Sequence, residues 1–120
     1  MLAQNFKSEV MLYNTKYKIE ETEKRRTQEI IEAMGFSAAL DAAYNKALKI
    51  LEKNCDSASA NIWLAWSYNL SNDCKNETNE SQREILRMLA TFYRKLAHKI
   101  YWHQRKNKSI GYIKDFIQGV

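Results

Sequence analysis

The chain is 120 residues long, 45% apolar and 28% charged, with a formal net charge of +5, a length that suits one ordinary domain. It contains no proline and three glycines, against roughly six and eight at average usage. That excludes collagen-like and Pro/Gly-rich low-complexity chains and argues against a sandwich or barrel, whose tight turns need those residues. The densest apolar run, Ile62 to Trp66, falls far short of the roughly 18 residues of a membrane span, so no membrane partner is expected. The segment Met1-Leu2-Ala3-Gln4-Asn5-Phe6-Lys7 shows neither the pattern of a secretory signal nor an N-myristoylation glycine. A cytoplasmic location is the expectation.

In chain order, Phe6, Val10, Tyr13 and Tyr17 step by 4, 3 and 4, and the same frame continues through Glu20, Lys24, Thr27, Ile31 and Met34. The spacing predicts a helix over 2–34, polar in its middle, supported by the pairs Glu20–Lys24 and Glu21–Arg25 and stopped by Gly35. Uninterrupted, it would be about 50 Å long. Such a rod either bends near 20–26 or projects as an arm, in which case it could serve homodimerisation. Ser37 is a candidate cap for a second helix, 38–54, with the stripe Leu40, Ala43, Tyr44, Ala47, Ile50 and Leu51. Ile62, Leu64, Trp66, Tyr68 and Leu70 alternate as a strand would, but no second strand candidate exists to pair with them; a helix over 58–70 is the better reading. Residues 71–80 read as a loop. Ser81 and Glu84 form a capping box for a helix over 81–105, and Ser109 is placed to cap a last one over 110–118. The fold class is therefore all-α, a single-domain helical bundle of about five helices with a long first one.

If 58–70 is one helix, its ends are about 20 Å apart, beyond the roughly 7 Å a disulfide spans. Cys55 and Cys74 are thus expected as separate thiols in a reducing interior. Nothing in the sequence suggests catalysis. With glycines at 35, 111 and 119 only, no glycine-rich phosphate loop can be built. No nucleophile elbow or His-Glu-x-x-His is present. Neither His98 nor His103 has a carboxylate three residues before it, as helical di-metal sites require. Trp63 and Trp66 read as core aromatics. A tetratricopeptide junction is excluded, because Tyr44, Ala47 and Trp63 stand at the wrong spacing and no 34-residue repeat follows. No cofactor and no metal are expected.

Charge placement is the informative feature. Residues 1–60 carry nine basic and nine acidic side chains, whereas residues 61–120 carry ten and five. Between Arg83 and Lys108 stand eight basic residues and one acid, Glu84. At 100° per residue, Arg87, Arg94, His98, Tyr101, Arg105 and Lys108 fall within about 60° of Arg83, with Lys95, Trp102, Lys106 and Lys99 beside them at about 100–160°. The apolar stripe Ile85, Leu89, Phe92, Tyr93, Leu96 and Ile100 lies opposite. One helix thus presents a ridge of single-sign charge some 30 Å long. Any amphipathic helix has a solvated face, yet this one lacks the acidic i,i+4 partners that such faces use. The expectation is a small non-enzymatic protein-interaction module, an adaptor or inhibitor, binding an acidic partner surface through the ridge. The alternative is a nucleic-acid-binding protein, with guanidinium groups on phosphates and Tyr101 and Trp102 stacking on bases.

Overall fold

The computed structural model describes the backbone of residues 18–54 and 58–118 and the side chains of 18–52 and 60–106. Four helices account for nearly all of it: α1 (Glu21–Met34), α2 (Phe36–Asn54), α3 (Ala58–Asn76) and α4 (Glu80–Gln118). No described residue lies in a strand, so the all-α expectation holds. Residues 61–70 are helical despite their alternating pattern.

α1 begins later than its periodicity implied. Lys18, Ile19 and Glu20 are not helical, and Glu20 is extended at φ −83°, ψ 153°. The extended lead-in seats Ile19 in the core cluster, which offsets the helical hydrogen bonds forgone at 18–20. The single rod over 2–34 is therefore interrupted. The stretch 2–17, with Phe6, Val10, Tyr13 and Tyr17, lies outside the described residues, and with it the proposed dimerisation arm. Glu21 and Glu23 occupy the first turn of α1, where carboxylates favour the positive end of the helix dipole. Lys24 pairs not with Glu20 but with Glu21 at 2.8 Å and, across to α3, with Asp73 at 3.5 Å. The bond from the Lys24 ammonium holds the Glu21 carboxyl below its ordinary range. Arg26, not Arg25, makes the other ion pair within this helix, with Glu23 at 3.9 Å.

Gly35 is the hinge between α1 and α2. Its amide donates to the Ile31 carbonyl at 2.8 Å, and its own carbonyl accepts from Ala39 at 3.0 Å. One residue thus closes α1 and opens α2, which starts at Phe36 rather than after Ser37. The backbone there has φ 88° and ψ 156°, a region essentially reserved for glycine.

α3 and α4 form an antiparallel hairpin: Cys74 meets Arg83 and, farther from the turn, Trp66 packs edge-on to Tyr93 at 5.3 Å. The expected loop 71–80 shrinks to 77–79, because no glycine or proline stops α3 and its last turns find partners in Lys24 and Arg83. The cap of α4 is Asn79 rather than Ser81; its side-chain oxygen accepts from the Gln82 amide at 3.1 Å, while its own amide donates to Glu77 at 3.0 Å. The expected helices 81–105 and 110–118 are one continuous helix. Ser109 interrupts nothing, and a single interior glycine, Gly111, costs only about 1 kcal/mol.

The core lies between the hairpin and α1–α2. Leu70, Leu89 and Ile100 are its largest fully buried side chains, each contributing about 1.5–3 kcal/mol of burial. From α4 it takes Leu89, Phe92, Tyr93, Leu96 and Ile100 of the expected stripe, with Ala90 and Ala97 added; Ile85, the first of that stripe, is only partly buried against it. The Tyr93 hydroxyl and the Thr27 hydroxyl share a 2.5 Å hydrogen bond that ties α1 to α4 across 66 residues. Burial pushes the Tyr93 phenol up to about 12, against the opposing pull of that bond. Trp63 and Trp66 are half-buried against this cluster. The Trp66 indole N–H is buried without a hydrogen-bond partner, a cost of order 1–3 kcal/mol.

Candidate basic groove between α2 and α4

α2 runs in the same direction as α4. Phe36 packs edge-on to Phe92 at 5.7 Å, Asp41 pairs with Lys99 at 3.2 Å, and Tyr44 meets His103 at 6.3 Å. Later residues of one helix therefore face later residues of the other. Between them runs an open groove of about 880 Å³. Its α4 wall carries Arg94, Lys95, His98, Lys99, Trp102 and Lys106. From α2 it receives Ser37, Leu40, Asp41 and Tyr44, and His103 of α4 lines it too.

Six of the eleven ridge residues are thus brought together. They are the flank nearest α2, the residues expected at 100–160° around the helix, joined by Arg94 and His98. Tyr101 and Arg105 stand outside the groove: the Arg105 guanidinium donates to the Tyr101 hydroxyl at 3.3 Å and lies over the Trp102 ring at 5.6 Å. Arg83 and Arg87 sit toward the hairpin turn and are engaged locally. The Arg83 Nε donates to the Cys74 carbonyl at 3.4 Å, and the Cys74 thiol donates to the Arg83 carbonyl at 3.4 Å. Arg87 is ion-paired with Glu84. The side chain of Lys108 lies outside the described residues. Cys74 is a free thiol; Cys55, its excluded partner, is likewise outside the described residues.

Within the groove the cations are held differently. Lys99 is bound to Asp41 and also lies 5.2 Å over the Tyr44 ring. Lys95 lies 5.5 Å over the Phe36 ring. These contacts fix two ammonium groups against aromatic faces without neutralising Lys95, since a ring quadrupole attracts a cation but carries no charge. Arg94 and Lys106 have no carboxylate within ion-pair distance among the described residues. Among the described residues Asp41 is thus the sole carboxylate beside four cationic side chains lining the groove. Trp102 is 59% exposed, a large apolar surface set among those cations.

Asp41 and His103 were missed by the sequence reading, and Leu40 and Tyr44 were read only as core. No signal along the chain says that α2 lies parallel to the basic face of α4. Among the described residues no group of three or more His, Cys, Asp or Glu could hold a metal ion, and no helix is long and apolar enough to cross a membrane. Another depression, about 300 Å³ and lined by all four helices, includes Ile30, Ala43, Ala47, Trp63, Trp66 and Tyr93. Its charged lining residues, Glu23, Arg26 and Lys46, are of mixed sign. The chain matches no known family model, no curated protein and no solved structure.

Proposed function

We propose that the protein is a small non-enzymatic interaction module that binds an acidic partner protein through the groove between α2 and α4. The observation that carries this reading is the charge balance of the groove: among the described residues Arg94, Lys95, Lys99 and Lys106 face it with Asp41 as their sole carboxylate. Bringing four like charges to one concave surface raises their mutual repulsion, and an anionic partner relieves it. Electrostatic complementarity of this kind speeds encounter and sets specificity.

The acidic-protein reading is favoured over nucleic acid by the make-up of the walls. All four cations belong to α4, while α2 contributes Leu40, Tyr44 and a carboxylate, Asp41, that Lys99 already neutralises. An acidic protein can set carboxylates against α4 and apolar side chains against α2, whereas a phosphate backbone offers the α2 wall nothing to bury. The test is a titration of labelled polyglutamate and of random single- and double-stranded DNA at about 50 mM salt, where phosphate contacts are strong. Polyglutamate binding that the Arg94→Ala/Lys95→Ala double variant weakens is the expected result. Binding of DNA alone, with a steep salt dependence, would replace the reading with the nucleic-acid one.

A further inference from the structure

We infer that the occupant of the groove is an acidic amphipathic helix that seats a large apolar side chain against Leu40, Tyr44 and Trp102. The inference rests on the acidic-partner reading and goes past it, from the sign of the partner's charge to its shape and its apolar anchor.

Shape is the first argument. The groove is bounded by two helices that run in the same direction, and its α4 wall extends from Arg94 to Lys106, about 18 Å of helix. The valley between two adjacent helices is a natural seat for a third, whose side-chain ridge enters it. Twelve or so residues of partner helix would match the wall end to end.

The apolar lining is the second. A site built only to gather carboxylates needs no apolar surface, yet this one is lined by the buried Leu40, the Tyr44 ring and the exposed Trp102. Trp102 keeps 59% of its surface in water. Large exposed aromatics flanked by cations are the usual energetic centre of a protein interface, because their burial is favourable and their rotamer entropy is low. The Trp102 ring is also positioned in advance: Tyr101 packs edge-on to it at 5.8 Å and the Arg105 guanidinium lies over it at 5.6 Å. Less ordering is then needed on binding.

Charge complementarity is the third. Lys99 is already satisfied by Asp41, so the cations left for a partner are Arg94, Lys95 and Lys106. Their positions along α4 leave a gap between Lys95 and Lys106, and Trp102 lies within it. A partner helix with carboxylates near its two ends and an apolar residue between them fits that order.

The experiment uses the full chain and four labelled probes, read by fluorescence anisotropy at fixed ionic strength. One is a 16-residue helical peptide with glutamates flanking a leucine stripe. The others are the same peptide with the leucines replaced by serine, a 16-residue polyglutamate, and a random 16-nucleotide single-stranded DNA. The leucine-striped peptide should bind at least about tenfold more tightly than its serine version, since a central anchor carries that much or more. Trp102→Ala should remove that advantage, so that the variant binds the leucine-striped and serine peptides equally; the ring is exposed, so the variant folds, as an unchanged thermal transition would verify. Equal binding of the leucine and serine peptides would overturn the inference and leave the acidic-partner reading standing. Binding of neither peptide nor polyglutamate, or DNA binding tighter than every peptide, would overturn both.

Discussion

Two stretches of α4 carry the same kind of charge and end up in different surroundings. Near the hairpin turn, Arg83 reaches the Cys74 carbonyl and Arg87 pairs with Glu84. Farther along, Arg94 and Lys106 face a groove without a carboxylate of their own. In sequence both stretches are basic residues at helical spacing, the first with one acid, Glu84, among them. What separates them is their surroundings. The end of α3 offers the Cys74 carbonyl to Arg83 and Glu84 of the same helix pairs with Arg87; α2, running parallel to the second stretch, offers aromatic rings and one acid. A run of like charge on a helix therefore does not meet one set of partners, and what packs beside each part decides which contacts that part makes.

The comparison holds only if α4 is fixed by its opposite face, and that can be broken first. Ile100 is fully buried beneath the groove end of the helix. Ile100→Ala should cost about 2–5 kcal/mol in urea or guanidinium unfolding; a loss below about 1 kcal/mol would mean that this part of α4 is not anchored. Tyr93 tests the same face by pH. Its phenol is raised from 10.0 to about 12. Below pH 10 both folded and unfolded chains keep the proton. Between pH 10 and about 12 the unfolded chain releases a proton that the folded chain retains, so stability falls with rising pH, by about 2–3 kcal/mol at the upper end. The difference in unfolding free energy between wild type and Tyr93→Phe should be constant below pH 10 and shrink above it. A difference flat through pH 12 would contradict the burial. A smaller effect is expected at Gly35, which sets where α2 starts. A Cβ there meets no atom within 4 Å, so Gly35→Ala should cost only the backbone strain of φ 88°, about 1–3 kcal/mol.

Much of this was legible in the chain. The absence of proline and the 3.6-residue stripe of Leu89, Phe92, Tyr93, Leu96 and Ile100 gave the helical class and the inward face of α4. The boundaries were less legible, because they are decided by tertiary partners. Asn79 took the cap that Ser81 could equally have taken, and α3 ran on through Ser71–Asn76 once Asp73 met Lys24. Ile19 left the helical register because the core had room for it. The basic residues of the groove were visible, but the groove was not. Asp41 lies 58 residues from Lys99, and no local pattern announces that the two meet.

The smallest expected effects sharpen the comparison most, because they set one arginine against another. Arg83→Ala removes a charged donor from the Cys74 carbonyl. The site is exposed and the bond long, so the loss of stability should be near 0.5 kcal/mol, at the low end for a hydrogen bond. Arg94→Ala removes a side chain with no carboxylate partner among the described residues and should change stability by less than about 0.5 kcal/mol. Their effects on polyglutamate binding should run the other way. Arg94→Ala should weaken it and flatten its salt dependence, whereas Arg83→Ala should leave both unchanged, since Arg83 lies outside the groove. Parallel unfolding and binding titrations of the two variants measure both quantities. If the two arginines lowered binding equally, the whole face of α4 would act as one ridge, and the boundary drawn by α2 would carry no functional weight. If only Arg94 matters, the position of α2 beside the helix has selected which of its charges a partner meets.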